Sequence, residues 1–375
     1  MRLGRAVGKP AKTVNMPDNA AGRREFLRTA GAAAFTASFF TGNLRGANDK
    51  VRVGFIGVGE MGSANIGSAA QVPGFEIAAV CDVRQPALDR AAAQAGKLGF
   101  DGVRATRDFR AVLSDKSIDA VCISAPEGWR ASMTVQACQS GKDVWVEGPA
   151  CAHVEEGPRM VQAARRYSRV AQAGTIGRSG QVFRAAREVV KSGELGEILF
   201  CRAFDHHPSG PGVHLLDMLQ GAFDEAMPVS VSAQGGRFRS VGRGETPCTM
   251  LATLRYPGFV ASYESRACAG DGAGYGVSFH GSKATLMVNA AGCVLYPSGA
   301  NARPVAERGR MADSRAPHWR NFLECIRSRR RPVGDIETCV RATTTCLLSD
   351  LALRSGVTLD WDEKAFIERR LKLEV

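Results

Sequence analysis

The chain has 375 residues, 45% hydrophobic and 23% charged, with 49 Lys and Arg against 37 Asp and Glu, a net charge of +12. That length suits about two domains. The mix excludes a disordered chain, a collagen, a disulfide-knotted miniprotein and a polytopic membrane protein.

The +12 raises the question of a nucleic-acid partner. Residues 1–47 carry eight basic and two acidic residues, 8 − 2 = +6, and the rest of the chain carries the other +6, dispersed. One basic run, Arg327 and Arg329–Arg331, falls at a predicted helix end, where cations suit the macrodipole. No nucleic-acid partner is expected.

Residues 23–28 read Arg-Arg-Glu-Phe-Leu-Arg, followed by the apolar stretch Ala30–Phe40 and a polar exit at Asn43–Lys50. This is the layout of a bacterial secretion signal, and the paired arginines match the twin-arginine type. The apolar run is about half the roughly twenty residues that a membrane span needs. The opposing reading is an amphipathic terminal helix. The signal reading predicts a partner in the twin-arginine export machinery and a periplasmic or otherwise exported protein. Arg45-Gly-Ala47 is a poor cleavage site, so a retained anchor stays open. The eleven cysteines are an odd number. Cys81, Cys122, Cys201 and Cys293 lie in apolar runs and read as small buried hydrophobes. None of the cysteines shows zinc or Cys-x-x-Cys spacing, so neither metal nor redox dithiol is expected.

Val51–Ile56 is a buried-strand pattern, and Gly57-Val-Gly59-Glu60-Met61-Gly62 opens a helix directly after it. A second strand pattern, Glu76–Cys81, ends at Asp82. Together these form a dinucleotide fingerprint in its expected context. Gly57 permits the turn, Gly59 lets backbone approach a pyrophosphate, and Gly62 lets helix and strand pack closely. The helix N-terminus offers N–H groups to phosphate. Asp82 favours NAD through the ribose hydroxyls, while Arg84 can pair a 2′-phosphate, so NADP stays open. Strands at Asp119–Ala125 and Asp143–Glu147 flank a helix at Trp129–Ser140, the signature of a doubly wound parallel sheet. Ligands bind beyond the carboxyl ends of such strands. Ser124, Pro126, Trp129, Arg130 and Glu147 are therefore site candidates.

The second half reads as α+β. Its strand patterns are Ile198–Phe204, Val229–Gln234, Thr249–Tyr256, Phe259–Ser265, Val277–Gly281, Ala284–Val288 and Cys293–Tyr296, in the manner of an antiparallel meander. The expected fold is thus an α/β Rossmann dinucleotide-binding domain plus an α+β C-terminal domain with an open, mainly antiparallel sheet. The boundaries are a leader at 1–47, a nucleotide domain at 51–170, a substrate and oligomerisation domain at 171–334, and a C-terminal helix and tail at 335–375 packing back on the core.

Gly57–Gly62, Asp82, Ala125–Arg130, Gly141–Pro149, Gln172–Thr175, Gly193–Gly196, Gly212–Asp217 and His318–Phe322 resemble the glucose–fructose oxidoreductase / inositol dehydrogenase (Gfo/Idh/MocA) family across residues 51–375. The resemblance implies a nicotinamide-dependent oxidoreductase of sugars or polyols and a dimeric or tetrameric homo-oligomer, often formed on the open sheet. In the family a Glu-Lys-Pro lysine and a His with an Asp four residues before it act on the substrate hydroxyl. Here Glu147-Gly148-Pro149 lacks the lysine, and Gly210 replaces the Asp. His214 and Asp217 remain. The short stretch between Phe204 and His214 also departs from the family.

The chain has ten lysines, and none lies between Lys191 and Lys283. Lys142 lies at the wrong end of its strand, which leaves Arg130 to stabilise an alkoxide. His214 is then the candidate base, with Asp217, Asp205 or His206 as partner. Spaced i and i+3 on a helix, His214 and Asp217 read equally well as a structural pair. His206 and His207 read as surface histidines at a strand end. Three functions follow: an exported oxidoreductase on a carbohydrate-like ligand, a non-catalytic relative that senses ligand or acts as a scaffold, and a glycosidase or lyase using NAD as an internal relay. Export predicts a tightly held cofactor, because free dinucleotide is scarce outside the cytoplasm.

Overall fold

The computed structural model describes residues 50–206, 212–238, 248–266, 274–289, 292–299, 304, 306–308 and 313–367. The leader at 1–47, His207, Gly210 and the tail at 368–375 lie outside them.

The first half begins with β1 (Val51–Ile56), α1 (Glu60–Ala70), β2 (Phe75–Cys81), α2 (Gln85–Lys97), β3 (Arg104–Thr106) and α3 (Phe109–Ser114). It continues through β4 (Ala120–Ile123), α4 (Glu127–Gln139), β5 (Asp143–Val146), α5 (Glu156–Arg166) and β6 (Ala171–Ala173). These strands form a parallel sheet of order β3-β2-β1-β4-β5-β6. That order reverses direction between β1 and β4, which opens a crevice beyond the strand ends. Every residue of β4 and β5 is buried, as expected for strands covered on both faces.

A 3₁₀ turn (Ile176–Ser179) leads through α6 (Gln181–Ser192) into the second half. There β7 (Ile198–Asp205) precedes α7 (Val213–Ala222), and then come β8 (Ser230–Gly236), β9 (Thr249–Arg255), β10 (Val260–Arg266), β11 (Tyr275–Gly281), β12 (Ala284–Asn289), β13 (Gly292–Pro297) and β14 (Ala306–Arg308). α8 (Arg315–Ser328), α9 (Ile336–Ser355) and β15 (Leu359–Asp360) complete the chain's described elements. The seven predicted strands lie within about two residues of their observed bounds, but their order corrects the meander. The sheet runs β14-β13-β12-β11-β7-β10-β9-β8-β15, with β7 inserted between β11 and β10 and parallel to β10. The alternate β7 residues Cys201, Ala203 and Asp205 are buried on the sheet face that carries the helices.

One face of this sheet packs on α6, α7 and α9. The other has no helix over it among the described residues and presents Phe200, Leu251 and Val260 on neighbouring strands. Asp335 caps α9 by accepting from the Glu337 amide, and Arg165 of α5 pairs with that carboxylate. This holds the start of α9 against α5. α8 departs from the assignment of 171–334 to the second domain. Its Trp319 stacks on Trp145 of the parallel sheet at 4.1 Å and 5°, and Phe55, Phe75 and Phe322 surround the pair. Burying those rings on the first sheet outweighs chain order. No described helix is long and apolar enough to cross a membrane.

Candidate functional site

The glycine loop is shaped by steric necessity. Gly57 has φ +83°, and a Cβ there would lie 2.6 Å from the Ala125 amide nitrogen. A Cβ on Gly62 would lie 2.0 Å from the Gly57 carbonyl oxygen. Gly59 is different: above it a Cβ would meet only Arg84 Nη2, at 3.3 Å. No side chain caps α1, and Glu60 and Met61 in its first turn are exposed. The result is a backbone cradle, closed behind and open at Gly59, beside the uncapped N–H groups of a helix start. That is the shape and polarity a pyrophosphate requires.

Asp82 follows β2 and is almost buried. Its carboxylate accepts from the Val58 amide at 3.0 Å and the Arg84 amide at 2.9 Å, so it ties the glycine loop to the second strand. Arg84 is largely exposed and lies 3.6 Å from Asp82 Oδ1 while reaching toward Gly59. Both candidates for reading the ribose therefore stand at the same mouth.

The ends of β4 and β5 form the floor. Asn65 of α1 donates to Ser124 Oγ at 3.2 Å and to Glu147 Oε1 at 2.7 Å, and the Trp145 indole donates to the same Glu147 oxygen at 2.9 Å. Glu147 is buried with its other oxygen against Gly174. Its carboxylate braces the floor from within. The hydrophobic run before it hides this, since a strand-end Glu reads as facing the crevice. Asn65 was missed for the complementary reason: it looks like an ordinary helix residue. Pro126 precedes α4, and Trp129 in its first turn is 55% exposed at the edge of the floor.

Arg130 is a clamp. Its guanidinium donates to Ala125 O at 2.8 Å and Pro149 O at 2.7 Å, joining the two floor loops. Burial lowers its pKa, with Glu127 and Glu147 opposing. Lys142 donates to the Asp115 and Ile118 carbonyls at the opposite end of β5, as its position predicted.

His214 begins the first turn of α7 and is half-buried. A side chain leaving Gly148 would start 3.9 Å from His214 Cε1, 3.2 Å from Val213 and 3.6 Å from the Cys339 sulfur. The position that carries lysine in the resembled family therefore faces this histidine. Burial holds the ring below the ordinary imidazole range; Glu147 opposes that shift and Arg315 adds to it. The ring makes no hydrogen bond to a described residue.

Asp217 does not partner His214. Arg178 from the 3₁₀ turn grips it with Nε 2.9 and 2.8 Å from its two oxygens, and also holds Glu225 at 2.8 and 2.7 Å. Burial works against the guanidinium charge, but Asp217 and Glu225 outweigh it and keep Arg178 protonated well above its usual range. His206 is fully buried rather than on the surface, because Phe204, Arg266 and Glu264 enclose it. Its inner neighbour Asp205 is also buried, near Tyr263 and Tyr275. The Tyr263 hydroxyl occupies the space where a Cβ on Gly212 would fall, 1.9 Å from it. Cys81, Cys122, Cys201 and Cys293 are buried thiols, as read from their apolar runs. Among the described residues no group of three His, Cys, Asp or Glu could hold a metal ion.

Residues 51–175 match the family model described as "Oxidoreductase family, NAD-binding Rossmann fold" (GFO_IDH_MocA). Among curated proteins, the chain is 32% identical over 204 residues to a "Glycosyl hydrolase family 109 protein" of Shewanella sp. (strain W3-18-1), spanning 47% of this chain and 44% of that protein. A protein of the same description from Shewanella baltica (strain OS155 / ATCC BAA-1091) is 33% identical over the same shares. The chain thus spans less than half the length of the curated relatives it matches. Among solved structures, levoglucosan dehydrogenase in complex with NADH and levoglucosan has a TM-score of 0.70 at 18% identity, over 83% of this chain and 99% of that one. The WlbA dehydrogenase from Bordetella pertussis, in complex with NADH and UDP-GlcNAcA, has a TM-score of 0.69 at 20% identity, over 84% and 99%. The chain therefore shares its fold with these solved structures.

Proposed function

We propose that the protein holds a nicotinamide dinucleotide in the glycine cradle and acts on a hydroxyl-bearing carbon of a sugar or polyol-like substrate, with His214 as the base. The observation that carries this reading is the His214 ring, 3.9 Å from where a side chain would leave Gly148, above the floor that Asn65, Ser124 and Glu147 build.

Gly57, Gly59 and Gly62 with the start of α1 would hold the pyrophosphate, and Asp82 or Arg84 the adenosine ribose. Glu60, Met61, Ser124, Pro126 and Trp129 would border the dinucleotide. When bound, it supplies a hydride acceptor or donor. His214, kept neutral by burial, takes the hydroxyl proton on a ring nitrogen. Arg178 and Asp217 position it by fixing α7, and Arg130 keeps the two floor loops together.

The Arg23-Arg24 leader supports export through the twin-arginine machinery to the periplasm, and export favours a tightly retained cofactor. The apolar face at Phe200, Leu251 and Val260 suits a homo-oligomer contact. Asp82 with Arg84 accommodates NAD or NADP.

A second reading is favoured by the glycosyl hydrolase names of the curated relatives: hydrolysis or elimination at a sugar, with the dinucleotide as an internal relay and no net redox. The same His214 serves it. In the third reading the chain keeps the nucleotide only as a sensor or scaffold.

Heat release from the purified full chain, followed by identification of the nucleotide, tests all three. NAD or NADP in the released material is expected, and none there with no binding at millimolar concentration removes the enzymatic readings. A sugar panel followed at the reduced-nicotinamide absorbance separates them. Net reduction supports the first, glycoside cleavage without net reduction the second, and neither the third. His214→Ala should lower turnover by about 10²–10⁴-fold with dinucleotide affinity unchanged. Full turnover in that variant removes His214 from the base role.

A further inference from the structure

Among the described residues the proposed site has a base but no obvious cation. Position 148 carries no lysine. Arg130 is engaged by two carbonyls, and Arg178 is enclosed by Asp217 and Glu225. Arg84 stands at the glycine loop, and Arg266 lies against His206.

Arg315 is the exception. It opens α8, its side chain is about one-third exposed, and its guanidinium meets only Asp313 among the described residues, at 3.9 Å. Its placement follows from two anchors on the 3₁₀ turn. Arg178 binds Asp217 of α7, and the adjacent Ser179 hydroxyl bonds His318 Nδ1 of α8 at 2.7 Å. His214 lies three residues before Asp217, and Arg315 three residues before His318. Each is one turn N-terminal of its anchor and on the same helix face as it. The Ser314 hydroxyl sits 2.9 Å from where a Cβ on Gly180 would be, which wedges the start of α8 against the turn that holds α7. The Arg315 charge already acts on the His214 ring in the same direction as burial.

Building on the base role of His214, we propose that Arg315 supplies the positive charge of this site and faces the substrate oxygen that His214 deprotonates. The O–H bond breaks, the proton forms an N–H bond on His214, and the electron pair remains on oxygen. A guanidinium stays protonated throughout. It therefore stabilises that oxygen without exchanging a proton, whereas the family's lysine can do both. Donors aimed at a developing oxyanion are a large catalytic term. The chain has moved the site's cation from the β5 loop to the start of α8 and left proton transfer to the histidine alone.

Two measurements decide this. The first is the NMR titration of the His214 ring in dinucleotide-free full-length protein, comparing wild type, Arg315→Met and Arg315→Lys. The Met variant should raise the titration midpoint, and the Lys variant should stay near wild type. The second is steady-state kinetics with the best sugar from the panel. Arg315→Met should lose about 100-fold in kcat with a smaller change in KM, and Arg315→Lys should recover part of it. An unmoved midpoint overturns the proposal. So does a moved midpoint with unchanged kcat, because the charge would then lie near the histidine without serving the oxygen. Circular dichroism of both variants reports whether α8 still folds. If wild-type protein holds no dinucleotide, the functional reading fails, while the titration still decides where the Arg315 charge acts.

Discussion

The two halves of the molecule build their parts of the site by opposite means. The nucleotide half uses backbone: Gly57, Gly59, Gly62 and the start of α1 make the cradle with almost no side chains. The proposed substrate-facing part uses side chains from separate segments: His214 on α7 of the second half, and Arg315 on α8, the helix that packs on the first sheet. Backbone geometry permits few substitutions, so the glycine fingerprint is complete at Gly57, Gly59 and Gly62. A charge can be supplied from several directions, so on the proposed reading the β5 loop can lack a lysine at Gly148 when another segment brings the cation.

The largest expected effect tests whether the second half depends on its buried anchor. Asp217→Ala leaves the Arg178 charge partly unpaired in the interior, and breaking such a pair costs about 3–5 kcal/mol. Urea unfolding should show that loss, with dinucleotide affinity of the folded protein intact. A change below about 0.5 kcal/mol would instead return Asp217 to the catalytic candidates.

His318 couples the halves and gives the next effect. Its Nε2–H donates to Ala173 O at 2.8 Å, and burial lowers its pKa to about 4. The unfolded chain therefore binds the proton first as pH falls. The contribution of this group is complete above about pH 6.5 and is lost as pH approaches 4, about 3 kcal/mol in all. Unfolding free energies at pH 7 and pH 4.5 should differ less in His318→Gln than in wild type. Equal differences would show that His318 is not held neutral.

Gly62→Ala probes the cradle. With its Cβ 2.0 Å from the Gly57 carbonyl, the loop must open. Dinucleotide affinity should fall about 10–100-fold, equivalent to about 1–3 kcal/mol of overpacking. Unchanged affinity by calorimetry would contradict the cradle. Gly128→Ala is the smallest effect and the control. It lies in the first turn of α4 with nothing within 4 Å of its Cβ, and stability should rise by at most about 1 kcal/mol.

The same contrast explains what could be read from the sequence. The strand–glycine–helix–strand–acid order is local, so the fingerprint and its register were legible in Val51–Asp82. Alternation in Ile198–Tyr296 located the strands, since period-two burial is also local. Sheet order was not legible: nothing in Val260–Arg266 announces a parallel neighbour at Phe200–Asp205. Arg178, Asp217 and Glu225 are up to 47 residues apart, and neither Arg178 nor Glu225 lies in the motif around His214. The packing of α8 on the first sheet was hidden because Trp319 fits either core equally well.

That packing has an optical consequence. Of the four tryptophans, Trp145 and Trp319 lie face to face at 4.1 Å, and the Trp145 indole N–H ends on Glu147 under the dinucleotide floor. Two indoles stacked so closely share their excited state. The protein therefore carries a paired chromophore with one member on the parallel sheet and the other on the helix that begins with Arg315. Near-ultraviolet circular dichroism of this pair should follow any adjustment between floor and helix as ligand enters, without a label.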